Sequence, residues 1–346
     1  MELLERLCNA PGVSGYEDAA QDVVQQALEP VCDRVWRDRV GNLIALKRGS
    51  LGDHAPRVML AAHVDEIGLM VTHIDDGGFL RFRAVGGFDA STLMSQRVLV
   101  HGRETLHGVI APRIRGASNA DDKKPTLSDL YVDLGLPDQR VTDKVRIGDI
   151  ISLQQPFAHL NDEVVTARNF DDRLGVYCLI EAMRALQEPQ VDVYAVSTVQ
   201  EELGVRGAPM AAYAIKPDAG LAIDGSLAWD VPAMPAHEQH CRMGQGTGIY
   251  YLDNLTMGSP RLIRFLESLC ERQGIPYQRN VGGGTDASAI QRTGLGALAT
   301  TIGAPTRYMH STVQMAHRTD IRATIALLAA FGEHAHELLG EHHVSD

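Results

Sequence analysis

Apolar positions fall at helical spacing from Glu17 to Leu28, where Ala20, Val23, Val24 and Ala27 share one face. Ala10-Pro11-Gly12 separates this segment from an amphipathic helix over the first nine residues. Arg34–Asp38 and Asn42–Lys47 read as strands around a turn at Gly41. Val58–Ala62 is an unbroken apolar run ending in His63, the pattern of a strand covered on both faces. From about Leu69 to Ala158 the texture changes. Short β-type segments (Met70–Ile74, Leu80–Ala84, Arg97–His101, Gly108–Ile110) are divided by Gly, Asp and Pro, and only Thr126–Leu134 admits helical spacing. A small β-barrel or sandwich is the expectation here, with polar Gly116–Pro125 as a loop.

Beyond Asp171 helices and strands alternate. Helices are predicted over Asp172–Leu186, Ala208–Ala214, Ser259–Gln273 and Asp320–Leu339, and strands over Val191–Val199, Ala219–Ile223 and Leu298–Ile302. Alternation of this kind implies an α/β domain with a mostly parallel sheet flanked by helices. Residues 1–66 lack a complete fold of their own. The expected organisation is one α/β domain made from 1–66 and 165–346, with a small β domain, 67–164, inserted.

Of the 346 residues, 45% are hydrophobic and 22% charged, which excludes disorder over most of the chain. The formal net charge of −12 argues against nucleic acid and anionic membranes as partners. No apolar run approaches the ~18–20 residues that span a bilayer, and the acidic N-terminus is unlike a signal peptide. A cytoplasmic location is expected. The five cysteines are widely spaced and lack a CxxC pair, so neither a disulfide framework nor a thiolate zinc site is expected. Gly244–Gly248 lacks both GxGxxG spacing and a Walker lysine, so it is not read as a phosphate loop.

The candidate chemistry gathers at strand and helix ends. His63 and Asp65 lie two apart at the end of a predicted strand, where Asp65 could orient the imidazole; a plain strand-end hydrogen bond suits the same pattern. Asp171 and Asp172 open a predicted helix. One suits a cap, which leaves Asp171 to face a cation and Arg173 to neutralise Asp172. Glu201 and Glu202 follow a buried strand, at the end where α/β sheets bind ligands. Adjacent residues point different ways, so one carboxylate can bind metal while the other handles a proton. Asp224 ends the next buried strand, and His310 lies beyond another. Imidazoles and carboxylates together suit Zn, Co or Mn, and three carboxylates with two imidazoles can hold two ions if one carboxylate bridges.

Six segments occur in order: AAHVDEIGLMVTHI, NFDDRLGVYCLIEA, VSTVQEELGVRGA, LAIDGSLAWDVP, GGGTDASAIQRTG and RYMHS. Together they closely resemble the M42 metallo-aminopeptidases, over nearly the whole chain. The resemblance implies a zinc-peptidase-like α/β fold with an inserted β-barrel. It implies two divalent ions per subunit, Zn first, with Co or Mn as alternatives. Asp171 would bridge them, His63 and Asp224 would complete one site, and Glu202 and His310 the other. Glu201 would be the general base and acid in attack by a metal-activated water, and Asp65 the partner of His63. Gly282–Ala287 would form a wall of the substrate pocket. The implied substrate is a short peptide with a free N-terminus. The implied assembly is a homo-oligomer built from dimers through the β domain, up to a dodecamer. Departures from the family pattern fall at Gln314, where glutamate is usual, and Asp172, where asparagine is common. The alternatives are a metal-dependent amidase or deacylase, a glycoside hydrolase using paired carboxylates, which leaves His63 and His310 without a task, and a non-catalytic metal binder, which leaves Glu201 without one. His334, His336, His342 and His343 read as a solvated C-terminal cluster.

Overall fold

The apolar run ending in His63 forms strand Arg57–His63, near the middle of an eight-stranded sheet. The structure, a computed structural model, describes residues 1–112 and 124–340. Gly116–Pro125, read as a loop, falls almost wholly outside the described residues, as do His342 and His343.

Side chains along Arg57–His63 alternate between two cores. Val58, Leu60 and Ala62 pack with helices Glu2–Asn9, Asp18–Leu28, Phe170–Ala185 and Arg318–Leu339. Met59 and Ala61 pack with helices Gly207–Ile215 and Ala287–Gln291 on the opposite face. A strand buried on both faces is apolar along its length, and burying a valine, leucine or methionine there contributes ~1.5–3 kcal/mol.

The sheet runs Arg34–Arg37, Leu43–Lys47, Asp192–Thr198, Arg57–His63, Ala219–Ile223, Leu298–Gly303, Thr247–Leu252, Tyr277–Val281. The four central strands are mutually parallel, and antiparallel pairings lie outside them. The C-terminal ends of the central strands therefore point one way and deliver His63, the Gln200–Glu202 segment and Asp224 to a single edge. Helix Pro260–Gln273 lies within the predicted bounds. Pro260 is pre-set for the first turn, and Gly274, at φ 67°, closes the helix in a conformation that suits glycine.

A smaller sheet joins Ala158–His159, Val164–Ala167, Gln314–His317, Pro305–Arg307 and Ser226–Leu227. Between the first and last parts of the α/β fold, six strands close a barrel: Gly68–Ile74, Leu80–Val85, Leu130–Asp133, Thr105–Pro112, Arg97–His101 and Ile150–Leu153. Leu69, Val71, Val98, Val100, Val132 and Ile151 fill it, in keeping with the period of two. The barrel's first and last strands pair with one another, Leu69 opposite Ile151. The helical spacing at Thr126–Leu134 is not a helix. It holds a short 3₁₀ turn and a barrel strand whose Leu130 and Val132 point inwards. Helix Asp138–Lys144, too short to carry a periodic signal, was not predicted.

Candidate metal centre and catalytic site

Two groups of potential donors lie at the edge of the large sheet. His63, Asp171 and Asp224 offer ligand atoms within 4.8 Å of one another, as do Asp171, Glu202 and His310. Asp171 belongs to both. Its Oδ1 lies 3.0 Å from His63 Nε2 and its Oδ2 lies 3.1 Å from His310 Nε2. Glu202 Oε1 is 3.4 Å from the same His310 nitrogen.

Local structure explains how Asp171 reaches this position. Asp171 and Asp172 precede the regular turns of helix Phe170–Ala185, and the peptide between them is cis. Asp172 acts as the cap: its Oδ1 accepts the Gly175 amide at 3.1 Å, and its Oδ2 accepts the His63 amide at 3.2 Å. Asp171 is thereby left to face the donor groups. Arg173 does not neutralise Asp172. It is fully buried and donates to the carbonyls of Leu7, Ala10 and Val64, so it ties the N-terminal helix to the site strand. Burial pushes the Asp172 carboxyl well above the usual range, reinforced by Asp224 and opposed by His63.

Asp65 lies beneath the centre. His63 Nδ1 is 3.1 Å from the Asp65 carbonyl and 3.4 Å from its Oδ1. The carboxylate also accepts the amides of Glu201 at 2.9 Å and Glu202 at 3.2 Å. Asp65 thus orients the imidazole and both glutamates.

The electrostatics are those of a site that wants cations. Burial raises Glu201 to about 9, aided by Asp286, Glu202 and Asp171 and opposed by His63. Burial also raises Glu202, and raises Asp224 strongly, with the Asp171 charge adding to the second. Hydrogen bonds to Asp171 and Glu202 raise His310 to about 11. Burial opposes a charged His63, yet hydrogen bonds with Asp171 and Asp65 hold it well above its ordinary value. So many carboxylates out of water are costly unless positive charge is present. Mixed imidazole and carboxylate donors fit divalent zinc, cobalt or manganese.

Two residues outside the candidate donor set also support the site. Gln314 Oε1 accepts the Asp171 amide at 2.8 Å, and its Nε2 donates to the Arg168 carbonyl at 3.1 Å. A glutamate there could accept the amide but could not donate to that carbonyl. Asp286 is buried behind the centre, where Thr198 Oγ1 donates to its Oδ2 at 2.6 Å. The donor groups open on a cavity of ≈ 390 Å³, whose other walls include Leu227, Trp229, Tyr250, Gly283 and Met309. Part of Gly282–Ala287 is thus a wall: Gly283 to Thr285 line the cavity, and Ala287 is buried in a short helix.

The model of the M42 glutamyl aminopeptidases matches residues 41–327. The chain belongs to the M42 family. It is a hydrolase of the aminopeptidase class. A lysyl aminopeptidase of Pyrococcus furiosus is 35% identical over 344 residues, covering 96% of both chains. An aminopeptidase structure from the archaeon Desulfurococcus kamchatkensis superposes with a TM-score of 0.94 at 37% identity, covering 98% of this chain and 96% of that one. A TET1 peptidase structure from Pyrococcus horikoshii superposes at 0.86 with 34% identity, covering 96% and 98%; that protein can assemble into a tetrahedron or a large octahedral shell. Among the M42 chain's described residues, no helix is long and apolar enough to cross a membrane.

Proposed function

We propose that this chain removes N-terminal residues from short peptides with two divalent ions, using Glu201 as the general base. The observation that carries the reading is Asp171, one carboxylate placed between two donor groups that share nothing else. His63 and Asp224 would hold one ion, Glu202 and His310 the other, and Asp171 both. Bound there, paired ions would supply Lewis acidity towards a peptide carbonyl and lower the pKa of a water.

The chain's own groups do the rest. Glu201, fixed through its amide by Asp65, accepts a proton at its carboxylate and returns it to the leaving amine. The surrounding carboxylates favour a substrate with a positively charged α-amino group. Asp65 and Gln314, which do not line the cavity, hold the machinery in place.

The test is a panel of aminoacyl chromogenic substrates, assayed after metal removal and after separate reloading with Zn, Co and Mn. Activity lost to the chelator and restored by one of these ions supports the reading. Activity indifferent to the chelator overturns it. Acetylating the amine of a good substrate should abolish cleavage; equal cleavage of both forms would point to a deacylase.

The barrel contains none of the candidate donors. We assign 67–164 an association role and 1–66 with 165–346 the chemistry, so that dimers form through the barrel and build a larger closed shell. The assembly of the Pyrococcus horikoshii relative supports this. Light scattering at micromolar concentration checks it, and a single-chain mass would refute it.

A further inference from the structure

We infer that the pocket selects peptides whose first side chain is uncharged and apolar, of the leucine, methionine or phenylalanine kind. The inference rests on the aminopeptidase reading and adds to it the class of residue removed. It departs from the glutamyl preference in the family's description and from the lysyl preference in the name of the Pyrococcus furiosus relative.

The cavity has two unlike parts. One is the cluster of acids and imidazoles, which would be occupied by ions, the reacting carbonyl and the α-amino group. The other is walled by Leu227, Trp229, Tyr250 and Met309, with the backbones of Gly283 and Gly284. Apolar side chains back the glycines. A Cβ on Gly284 would meet Leu255 Cδ1 at 3.3 Å, and one on Gly225 would meet Met309 Cε at 2.9 Å. Leu255 and Trp229 are 52% and 39% exposed, so the apolar surface continues to the rim.

The polar groups of this second part are already engaged. Tyr250 donates its hydroxyl to the Gly225 carbonyl at 3.0 Å. Thr285 Oγ1 is 2.7 Å from Thr301 Oγ1 and accepts the Ala287 amide at 3.2 Å. The nearby acidic side chains are likewise engaged. Asp253 accepts the amides of Leu255 and Thr256 at 2.7 and 2.5 Å. Asp230 takes both arms of Arg307 at 2.8 and 2.5 Å. Among the described residues, no lining side chain beyond Glu201 and the candidate donors carries a charge that could meet a lysine ammonium or a glutamate carboxylate. Either group would lose water without gaining a partner, while an apolar side chain gains by leaving water. Met309, flexible and polarisable, can adjust to side chains of different shape.

The experiment is a comparison of kcat/KM across Leu, Met, Phe, Lys, Arg, Glu and Asp p-nitroanilides with the metal-loaded protein. Leu or Met should exceed Lys and Glu by ~10-fold or more, the scale of a single mismatched group in a pocket. A charged residue that leads or equals Leu overturns the inference and leaves the aminopeptidase reading standing. Cleavage of none of the free-amine substrates, with cleavage of N-acyl peptides, overturns both. Leu227→Asp should raise the Lys-to-Leu ratio of kcat/KM by ~10-fold, since it supplies the missing counter-charge. Trp229→Ala, at a partly exposed site, should lower kcat/KM for Leu and Phe by more than for Ala. An unchanged Leu-to-Ala ratio in that variant overturns the assignment of this wall.

Discussion

Ser14 donates its hydroxyl to Asp65 Oδ2 at 2.6 Å, from the turn that joins the first two helices. The N-terminal segment is thus one hydrogen bond from the carboxylate that holds His63, Glu201 and Glu202. Ser14→Ala should lower kcat by ~10-fold with little change in KM. A hydrogen bond to a charged group is worth ~1.5–3 kcal/mol, and only part of that would reach the barrier. Steady-state kinetics on a good substrate check this. An unchanged kcat would mean that the two amides and His63 fix Asp65 unaided.

Glu201→Gln should keep the fold and both ions while kcat falls by ~10²–10⁴, the range for loss of a general base. Elemental analysis and turnover measured on one preparation decide between the roles. Loss of bound metal would make Glu201 a ligand, and near-normal turnover would remove it from the chemistry.

Asp171→Ala should lower metal occupancy at both positions, because both donor groups include it. Asp224→Ala should empty one position in preference to the other. Metal titration by calorimetry distinguishes the two patterns. Matching single-ion losses in both variants would sink the bridging role.

Glu17 offers a pH test away from the donors. Burial pushes it to about 7, opposed by the Gly15 and Gln200 amides that its Oε1 accepts at 2.6 and 3.2 Å. A carboxyl raised on folding binds its proton more tightly in the folded state. Its contribution is therefore fully present below the ordinary value of 4.5 and is lost as pH rises through about 7. Glu17→Gln keeps one oxygen for both amides and removes the titration. The difference in melting temperature, variant minus wild type, should climb between pH 4.5 and 7 and level off above. A flat difference across that interval would show that Glu17 titrates as an exposed carboxyl does.

The parts of the fold legible in the sequence were those governed by local periodicity. Val58–Ala62 and Ala219–Ile223 are central strands, buried on both faces, and had to be continuous apolar runs. Helix Arg318–Leu339 is long enough for its period to register. Thr126–Leu134 misled because four residues, Leu130–Asp133, are too few to separate a period of two from one of 3.6. Strands Thr247–Leu252 and Gln314–His317 escaped notice, since each owes its existence to neighbours distant in sequence. The candidate donors could be picked out because they stand at or shortly after strand ends, or at a helix start. Gln314 stood out only as a departure from the family pattern and Ser14 not at all, because their partners, Asp171 and Asp65, lie far along the chain. Arg173 beside Asp172 suggested an ion pair, but the helix turns the guanidinium towards backbone carbonyls.

The pairing of the barrel's outermost strands bears on the order in which the molecule assembles. His63 and Asp171 are separated by about a hundred residues, most of them in the barrel. Closing so long a flexible segment carries an entropic cost of ~4 kcal/mol, which grows only with the logarithm of length. Once the strand that leaves near His63 lies against the strand that leads back towards Asp171, the intervening chain behaves as a tether of about twenty-six residues, six before Leu69 and twenty after Ile151. That lowers the closure cost by roughly 1–2 kcal/mol. A barrel that carries no donor would then act as a splint, and the centre would form late, after the inserted strands have already brought its two halves together.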